Sequence, residues 1–253
     1  MRGIKLKNSE DAYGQSLWSY FNKQNAIEVI ERSDGYLDPS EVAPKNYFAP
    51  FREWPNIEKK AIRSAKGRVV DVGCGAGRAA IYLQNVKKLN VLGIDISPLA
   101  LRVSRKRGLR KTRLLDFANM DFSPDSFDTV IMFGNNFGLF GSKQRTKRLL
   151  RKLYTMTSTK ALIIGESLNP YETDNPDHLA YQKLNRAKGR MSGQIRIRAR
   201  YKNYVGVWFD YLLVSPDEMK ELCEDTGWEV RRFITSKKDH PLYIGIIGKK
   251  KMI

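Results

Sequence analysis

Three observations in the sequence predict a doubly wound α/β domain. Short apolar runs alternate with amphipathic segments through the middle of the chain. One such run leads directly into a glycine-rich turn. A second run ends in a carboxylate eighteen residues after the last glycine of that turn. The turn is Val69-Val70-Asp71-Val72-Gly73-Cys74-Gly75-Ala76-Gly77-Arg78, and the carboxylate stands in Gly93-Ile94-Asp95-Ile96-Ser97. Buried strand, tight turn, helix start and second strand form the layout of a nucleotide-binding βαβ unit. In that layout an acidic residue about 20 positions on accepts ribose hydroxyls. A chain of 253 residues suits one large α/β domain with an appended cap.

The elements follow in order. Residues 1–58 read as an irregular, aromatic-rich cap, with Trp18, Tyr20, Phe21, Tyr36, Tyr47, Phe48, Phe51 and Trp54 set among Pro39, Pro44, Pro50 and Pro55. A core follows over 59–167. Residues 58–65 read as a short helix, and strands are expected at 68–72, 90–94, 113–115, 129–132 and 161–164, with helices at 78–84, 99–106 and 143–154. Ser97-Pro98 is a helix-start signal, serine capping and proline at the first helical position. In the third of these helices Leu149, Leu150 and Leu153 make the buried stripe. Strands alternating with helices argue for a mostly parallel sheet. Residues 169–193 are polar and turn-rich. Then Gln194 to Lys202 alternates, and with 205–213 it reads as a β-hairpin turning at Lys202-Asn203-Tyr204, so that 168–214 forms an insertion. The core resumes over 215–253, with a helix capped by Ser215-Pro216 and ended by Gly227, then strands at 229–233 and 242–247.

Glycine spacing selects the ligand. A dinucleotide fingerprint needs a small residue where Arg78 stands, and no G-x-x-x-x-G-K-[ST] loop occurs. What stands is Asp-x-Gly-x-Gly-x-Gly, and Asp71 would repel a pyrophosphate. S-adenosylmethionine offers an ammonium, a sulfonium, a ribose diol and no phosphate. Here the chain resembles the class I S-adenosylmethionine-dependent methyltransferases, whose first motif has this pattern. The resemblance continues at Asp95, at Leu115-Asp116-Phe117 and at Ser126-Phe127-Asp128-Thr129-Val130-Ile131. It covers residues 67–167, and 215–248 less closely. It implies a Rossmann-like seven-stranded sheet, mostly parallel with an antiparallel last strand, carrying an N-terminal cap and a β-hairpin insertion.

The resemblance implies the following roles. Gly73, Cys74, Gly75 and Gly77 let the backbone approach the cofactor, and the helix beginning near Arg78 offers N–H groups to its carboxylate. Asp71 serves the ammonium side, Asp95 takes both ribose hydroxyls, and Ile96 flanks the adenine. Asp116 accepts the adenine amino group, with Phe117 supplying a backbone N–H. Phe133-Gly134-Asn135-Asn136-Phe137-Gly138 follows the fourth strand of the core. Phe133 and Asn135 are expected on the cofactor, Asn135 at its methionine moiety, and Asn136 on the acceptor; a plain turn role for Asn135-Asn136 stands beside this. Glu166, ending the fifth strand, is a second candidate catalytic residue. With Glu172, Asp174 and Asp177 it could attract an amine, although that stretch reads equally as a solvated loop. The Arg196/Arg198/Arg200 face could clamp an anion or face solvent. Tyr36, Tyr47, Phe51 and Trp54 could close over a sulfonium or pack on the sheet.

Composition narrows the classes. No apolar h-region occupies Met1 to Asp11 and no apolar run approaches a membrane helix, so a cytoplasmic protein without membrane association is expected. Cys74, Cys223, His178 and His240 form no disulfide framework or metal-ligand pattern, so no metal is expected. No Pro-Cys dipeptide supplies a cytosine-type thiolate, and no D/N-P-P-Y/F motif is present. The net charge of +18 gathers at 102–113, 143–152, 183–200 and 249–251. That pattern keeps RNA as a possible partner. The expected function is methyl transfer from S-adenosylmethionine, leaving S-adenosylhomocysteine, to a small-molecule N or O nucleophile. The rivals are an RNA methyltransferase and a non-catalytic S-adenosylmethionine-binding protein. Oligomeric state is not legible.

Overall fold

In the computed structural model, residues 6–41, 43–235 and 241–250 are described; His240, Lys251 and the first five residues of the polar N-terminal stretch lie outside them. The chain opens with helix α1 (Ala12–Phe21), the strands β1 (Glu28–Arg32) and β2 (Leu37–Ser40), and helices α2 (Ala43–Asn46) and α3 (Asn56–Ala61). Next come β3 (Arg68–Val72), α4 (Arg78–Asn85), β4 (Asn90–Asp95), α5 (Pro98–Lys106), β5 (Thr112–Leu114), β6 (Phe127–Met132), α6 (Lys143–Met156) and β7 (Thr157–Leu168). The chain continues through α7 (Pro176–Ala187), β8 (Gln194–Tyr201), β9 (Tyr204–Val205) and β10 (Phe209–Leu212), and closes with α8 (Pro216–Cys223), β11 (Trp228–Thr235) and β12 (Leu242–Lys249). The larger sheet has the order β11-β12-β7-β6-β3-β4-β5. Its β4–β5 and β6–β7 pairs are parallel, whereas β12 runs antiparallel to both β7 and β11. The mostly parallel seven-stranded sheet with an antiparallel last strand is therefore found. Among the described residues no helix is long and apolar enough to cross a membrane.

The chain divides into two compact units. One takes in residues up to 54, 69–120 and 196–209; the other takes in 55–68, 121–195 and 210 onward. In the first unit, Val69, Val70 and Val72 of β3 are buried, as a strand covered on both faces requires. Ser97 accepts from the Ala100 N–H at 2.9 Å, with Pro98 at the first helical position, so the predicted start of α5 is found. Helix α1 packs Leu17 against Ala100 and Val103 of α5 and Ala76 of the glycine turn. Asp11 caps α1 through the Gly14 N–H at 3.0 Å and also accepts from Leu99 N–H, in the first turn of α5, at 3.1 Å. One carboxylate thus serves the positive ends of two helices.

Two expectations need correction here. The lead-in is not irregular: it holds α1 and the antiparallel pair β1–β2. Its β1 also pairs antiparallel with β8, Ile30 opposite Ala199, in a second sheet of order β10-β8-β1-β2 with β9 on β8. Local periodicity could not reveal a partner about 170 positions away. The hairpin turn at Lys202–Asn203 is where it was expected, but its second arm breaks after Val205. The second correction concerns 169–193, which contains α7. Pro176 opens that helix and Asn175 caps it by accepting from Asp177 N–H at 2.9 Å. Its buried positions are Tyr181, Gln182 and Asn185, too polar for an apolar stripe to show.

In the second unit β7 carries Ile163 and Ile164, and β12 carries Ile244 and Ile247, all buried. Trp228 is fully buried and donates from Nε1 to the Leu150 carbonyl at 2.9 Å, which satisfies its one polar atom. Ser215 and Glu218 close a reciprocal capping box on α8.

Candidate functional site

The first unit gathers the predicted cofactor residues other than Phe133 and Asn135 at the carboxyl ends of β3, β4 and β5, where open α/β sheets bind ligands. After β3 the backbone is left-handed at Gly73, Gly75 and Gly77. Gly77 precedes α4 without any capping side chain of its own. Asp71 supplies the cap from the strand, its carboxylate accepting from Ala80, the third residue of α4. Burial pushes the Asp71 carboxyl up to about 7, opposed by the Ala80 N–H and the Arg78 charge. Asp95 ends β4 and accepts from Gly75 N–H at Oδ2 and from Ser97 N–H at Oδ1, both at 2.9 Å. A carboxylate offers about four acceptor sites, so beyond the Gly75, Ser97 and Ile96 N–H groups one remains for a ribose hydroxyl. Burial raises this carboxyl to about 6.

The other predicted residues are placed as follows. The Cys74 thiol is buried against Gly93, and burial pushes it far from the thiolate range, so it fills space. Ile96 is half-buried beside Asp95. Asp116 starts a 3₁₀ turn, Phe117–Asn119, accepting from Ala118 N–H at 2.9 Å and Asn119 Nδ2 at 3.3 Å; Phe117 is buried. Leu115 N–H donates to the Asp95 carbonyl at 2.9 Å, tying the end of β5 to that of β4.

Two functional candidates escaped sequence reading. The Tyr13 hydroxyl, from α1, stands over Gly75: a Cβ there would lie 2.4 Å from it. Arg107 donates from Nη1 to the Ala76 carbonyl at 2.7 Å and to Tyr47 at 3.2 Å, and from Nη2 to Phe48 at 3.4 Å, while stacking on the Phe48 ring. It ties the glycine turn to the N-terminal segment. Arg107→Leu should lower the unfolding free energy by about 2–4 kcal/mol in urea titration, because three carbonyls lose a charged donor. A loss under ~0.5 kcal/mol would remove the tie. Tyr13 carries no motif, and Arg107 reads as one more member of a basic cluster.

The four aromatic lid candidates separate. Phe51 stacks on Tyr82 at 4.3 Å between centroids, Trp54 is buried under the Arg78 guanidinium, and Tyr36 lies beneath Arg32. These three pack. Tyr47 alone lies next to the glycine turn's neighbour, edge-on to Tyr13 at 5.5 Å. The arginine face is also corrected as a free anion clamp: Glu31 takes Arg198 and Arg200, each at 2.6 Å, and Arg198 stacks on Trp208.

In the second unit β6 runs into buried Phe133 and then left-handed Gly134 and Asn135. Asn135 N–H reaches Glu166 Oε1 at 3.4 Å, and the Tyr211 hydroxyl donates to the Asn135 carbonyl at 2.5 Å. The Asn135 Oδ1 atom is buried with no donor. Asn136, half-buried, opens the 3₁₀ turn Asn136–Phe140. Glu166 is buried beside this turn, whereas Glu172, Asp174 and Asp177 are exposed, so no acidic cluster joins it. Tyr211, brought by β10, had no sequence signal.

Asp71 and Asp95 set a pH dependence. Each folded carboxyl lies above its unfolded value, so the native state holds more protons between about 4 and 7. Stability should therefore fall as pH rises through that window, and Asp71→Asn should flatten the fall. Urea midpoints at pH 4.5, 6 and 7.5 test this; parallel wild-type and variant profiles would refute it.

The family described as a methyltransferase domain matches residues 69–160. A methyltransferase of a Geobacillus species is 22% identical over 135 residues, covering 50% of this chain and 54% of its own. Methyltransferase GfsG of Streptomyces halstedii is 30% identical over 132 residues, covering 47% of each chain. This chain thus spans about half the length of the curated relatives it matches. Among solved structures, an S-adenosylmethionine-dependent methyltransferase from Bacteroides fragilis, in complex with S-adenosyl-L-homocysteine, has a TM-score of 0.82 at 24% identity. It covers 98% of this chain and 99% of that one, and shows the shared fold.

Proposed function

We propose that this chain, a class I methyltransferase by its domain over residues 69–160 and by its fold, transfers a methyl group from S-adenosylmethionine to a small-molecule N or O nucleophile. The observation that carries the reading is Asp95, a carboxylate buried at a strand end and locked beside the glycine turn by the Gly75 and Ser97 N–H groups. Asp71 keeps phosphate away and favours a cationic ligand end. Asp116 and Phe117 are proposed to read the adenine edge, and Ile96, which follows Asp95 in the chain, to flank the ring. Asn135, whose buried Oδ1 has no donor among the described residues, is proposed to meet the methionine moiety. Asn136 is the proposed acceptor contact. Glu166 is proposed to act by holding the Asn135 backbone.

The bound cofactor supplies an electrophilic methyl on sulfonium, so the protein chiefly positions the acceptor in line and excludes water. A small molecule is favoured over RNA because each basic cluster has members engaged within the fold. Arg102 stacks on Trp18, Lys143 pairs with Glu221, Arg198 pairs with Glu31, and Lys249 donates to the Tyr154 and Thr157 carbonyls. Calorimetric titration of S-adenosylmethionine and S-adenosylhomocysteine, with and without total RNA, tests the reading. Micromolar binding indifferent to RNA is expected. Binding strengthened by RNA would favour the RNA enzyme, absent binding would overturn the proposal, and binding with no product from any acceptor would mark a non-catalytic binder.

A further inference from the structure

The N-terminal segment buries a carboxylate to which none of the roles above is assigned. Glu28 begins β1 and is 6% exposed. Its Oε1 accepts from the Tyr47 hydroxyl at 3.3 Å, and its Oε2 has no hydrogen-bond partner. Glu31, three residues on, takes two arginines, yet Glu28 forms no ion pair among the described residues. The charged group that does face it is another carboxylate, Asp38, and burial raises the Glu28 carboxyl to about 7. An unpaired buried carboxylate is costly to a fold, and 45 lysines and arginines were available to relieve it.

The surroundings point to what the group receives. Tyr47 packs edge-on against Tyr13, and the Tyr13 hydroxyl stands over Gly75. Glu28 thus meets Tyr47, Tyr47 meets Tyr13, and Tyr13 meets the glycine turn; burial and the charges of Tyr47, Asp95 and Glu28 push the Tyr13 phenol up. A carboxylate oxygen lacking a donor, beside two electron-rich rings, suits an organic cation.

We propose that Glu28, with the rings of Tyr47 and Tyr13, forms a binding site for an alkylammonium group beside the glycine turn. The inference rests on the methyl-transfer reading. Two sources carry that chemistry, the α-ammonium of the cofactor and a protonated amine on the acceptor. Ammonium binding there relieves the unpaired charge and holds an amine close to the cofactor turn.

Glu28→Gln keeps the shape and the Tyr47 hydrogen bond while removing the charge. It is compared with wild type by calorimetry, using S-adenosylhomocysteine and its analogue lacking the α-amino group. Product formation is then followed with a mixture of primary and secondary alkylamines and amino sugars, and with the matched alcohols. A tenfold or greater loss of S-adenosylhomocysteine affinity, with the deaminated analogue unaffected, assigns the site to the cofactor. Unchanged cofactor affinity with a tenfold or greater loss of amine-dependent product assigns it to the acceptor. Tyr47→Phe, which keeps the ring, should shift the same readout in the same direction by a smaller factor, and guards against a misfolded first variant. Wild type and Glu28→Gln alike in both assays would overturn the site, as would equal cofactor affinity with no amine-dependent product from wild type. Wild type that binds no S-adenosylhomocysteine would instead overturn the methyl-transfer reading beneath it.

Discussion

Asp95→Ala is expected to weaken S-adenosylhomocysteine binding at least tenfold, with about 2–4 kcal/mol of binding free energy lost. The change removes the carboxylate proposed to accept the ribose hydroxyls and also releases the Gly75 and Ser97 N–H groups, each held at 2.9 Å. The effect on binding should therefore exceed the loss of the hydroxyl contacts alone, because the turn also loosens. Asp95→Asn should do nearly as badly: an amide offers one acceptor, and its NH₂ would face a backbone donor. Calorimetry on folded variants, checked by circular dichroism, measures this. Affinity within twofold of wild type for either variant would remove Asp95 from the cofactor site.

Gly75→Ala is expected to lose cofactor binding by a similar factor, and here a double mutant isolates the cause. A Cβ at Gly75 would lie 2.4 Å from the Tyr13 hydroxyl, and φ there is +51°. The left-handed backbone costs about 1–2 kcal/mol for an L side chain, and the steric overlap forces α1 or the turn to move. In Gly75→Ala/Tyr13→Phe the hydroxyl is gone, and the nearest remaining ring atom, Cζ, is 3.5 Å away, an ordinary contact. The pair should recover most of the affinity and stability lost by Gly75→Ala, leaving about 1–2 kcal/mol of backbone strain. A double variant no better than Gly75→Ala would mean that Tyr13 does not rest on the turn.

Much of the α/β core was legible because its signals are local. Ser97-Pro98 and Ser215-Pro216 start helices from their own side chains and ring geometry, and both do so in the structure. The glycine turn and Asp95 belong to one short βαβ unit. Helix α7 was hidden for the opposite reason: Gln182 and Asn185 fill its inner face through hydrogen bonds to Pro170, Ser192 and Gln194 carbonyls, which hydropathy does not register. The arginine face of β8 alternated as expected, but whether it met solvent or a partner depended on Glu31.

The sequence by itself determined the strand–turn–helix–strand frame, the carboxylates before and after the glycines, and the class of ligand they tolerate, since these follow from residue type and spacing along neighbouring positions. Tertiary structure alone decided that Tyr13 covers Gly75, that Arg107 is a tie, that Tyr211 holds the Asn135 carbonyl, and that Glu28 is buried without a cation among the described residues. Each of these depends on where a separate element packs. That is set by burial of apolar faces and satisfaction of buried polar atoms across tens to hundreds of positions, and no local pattern encodes it.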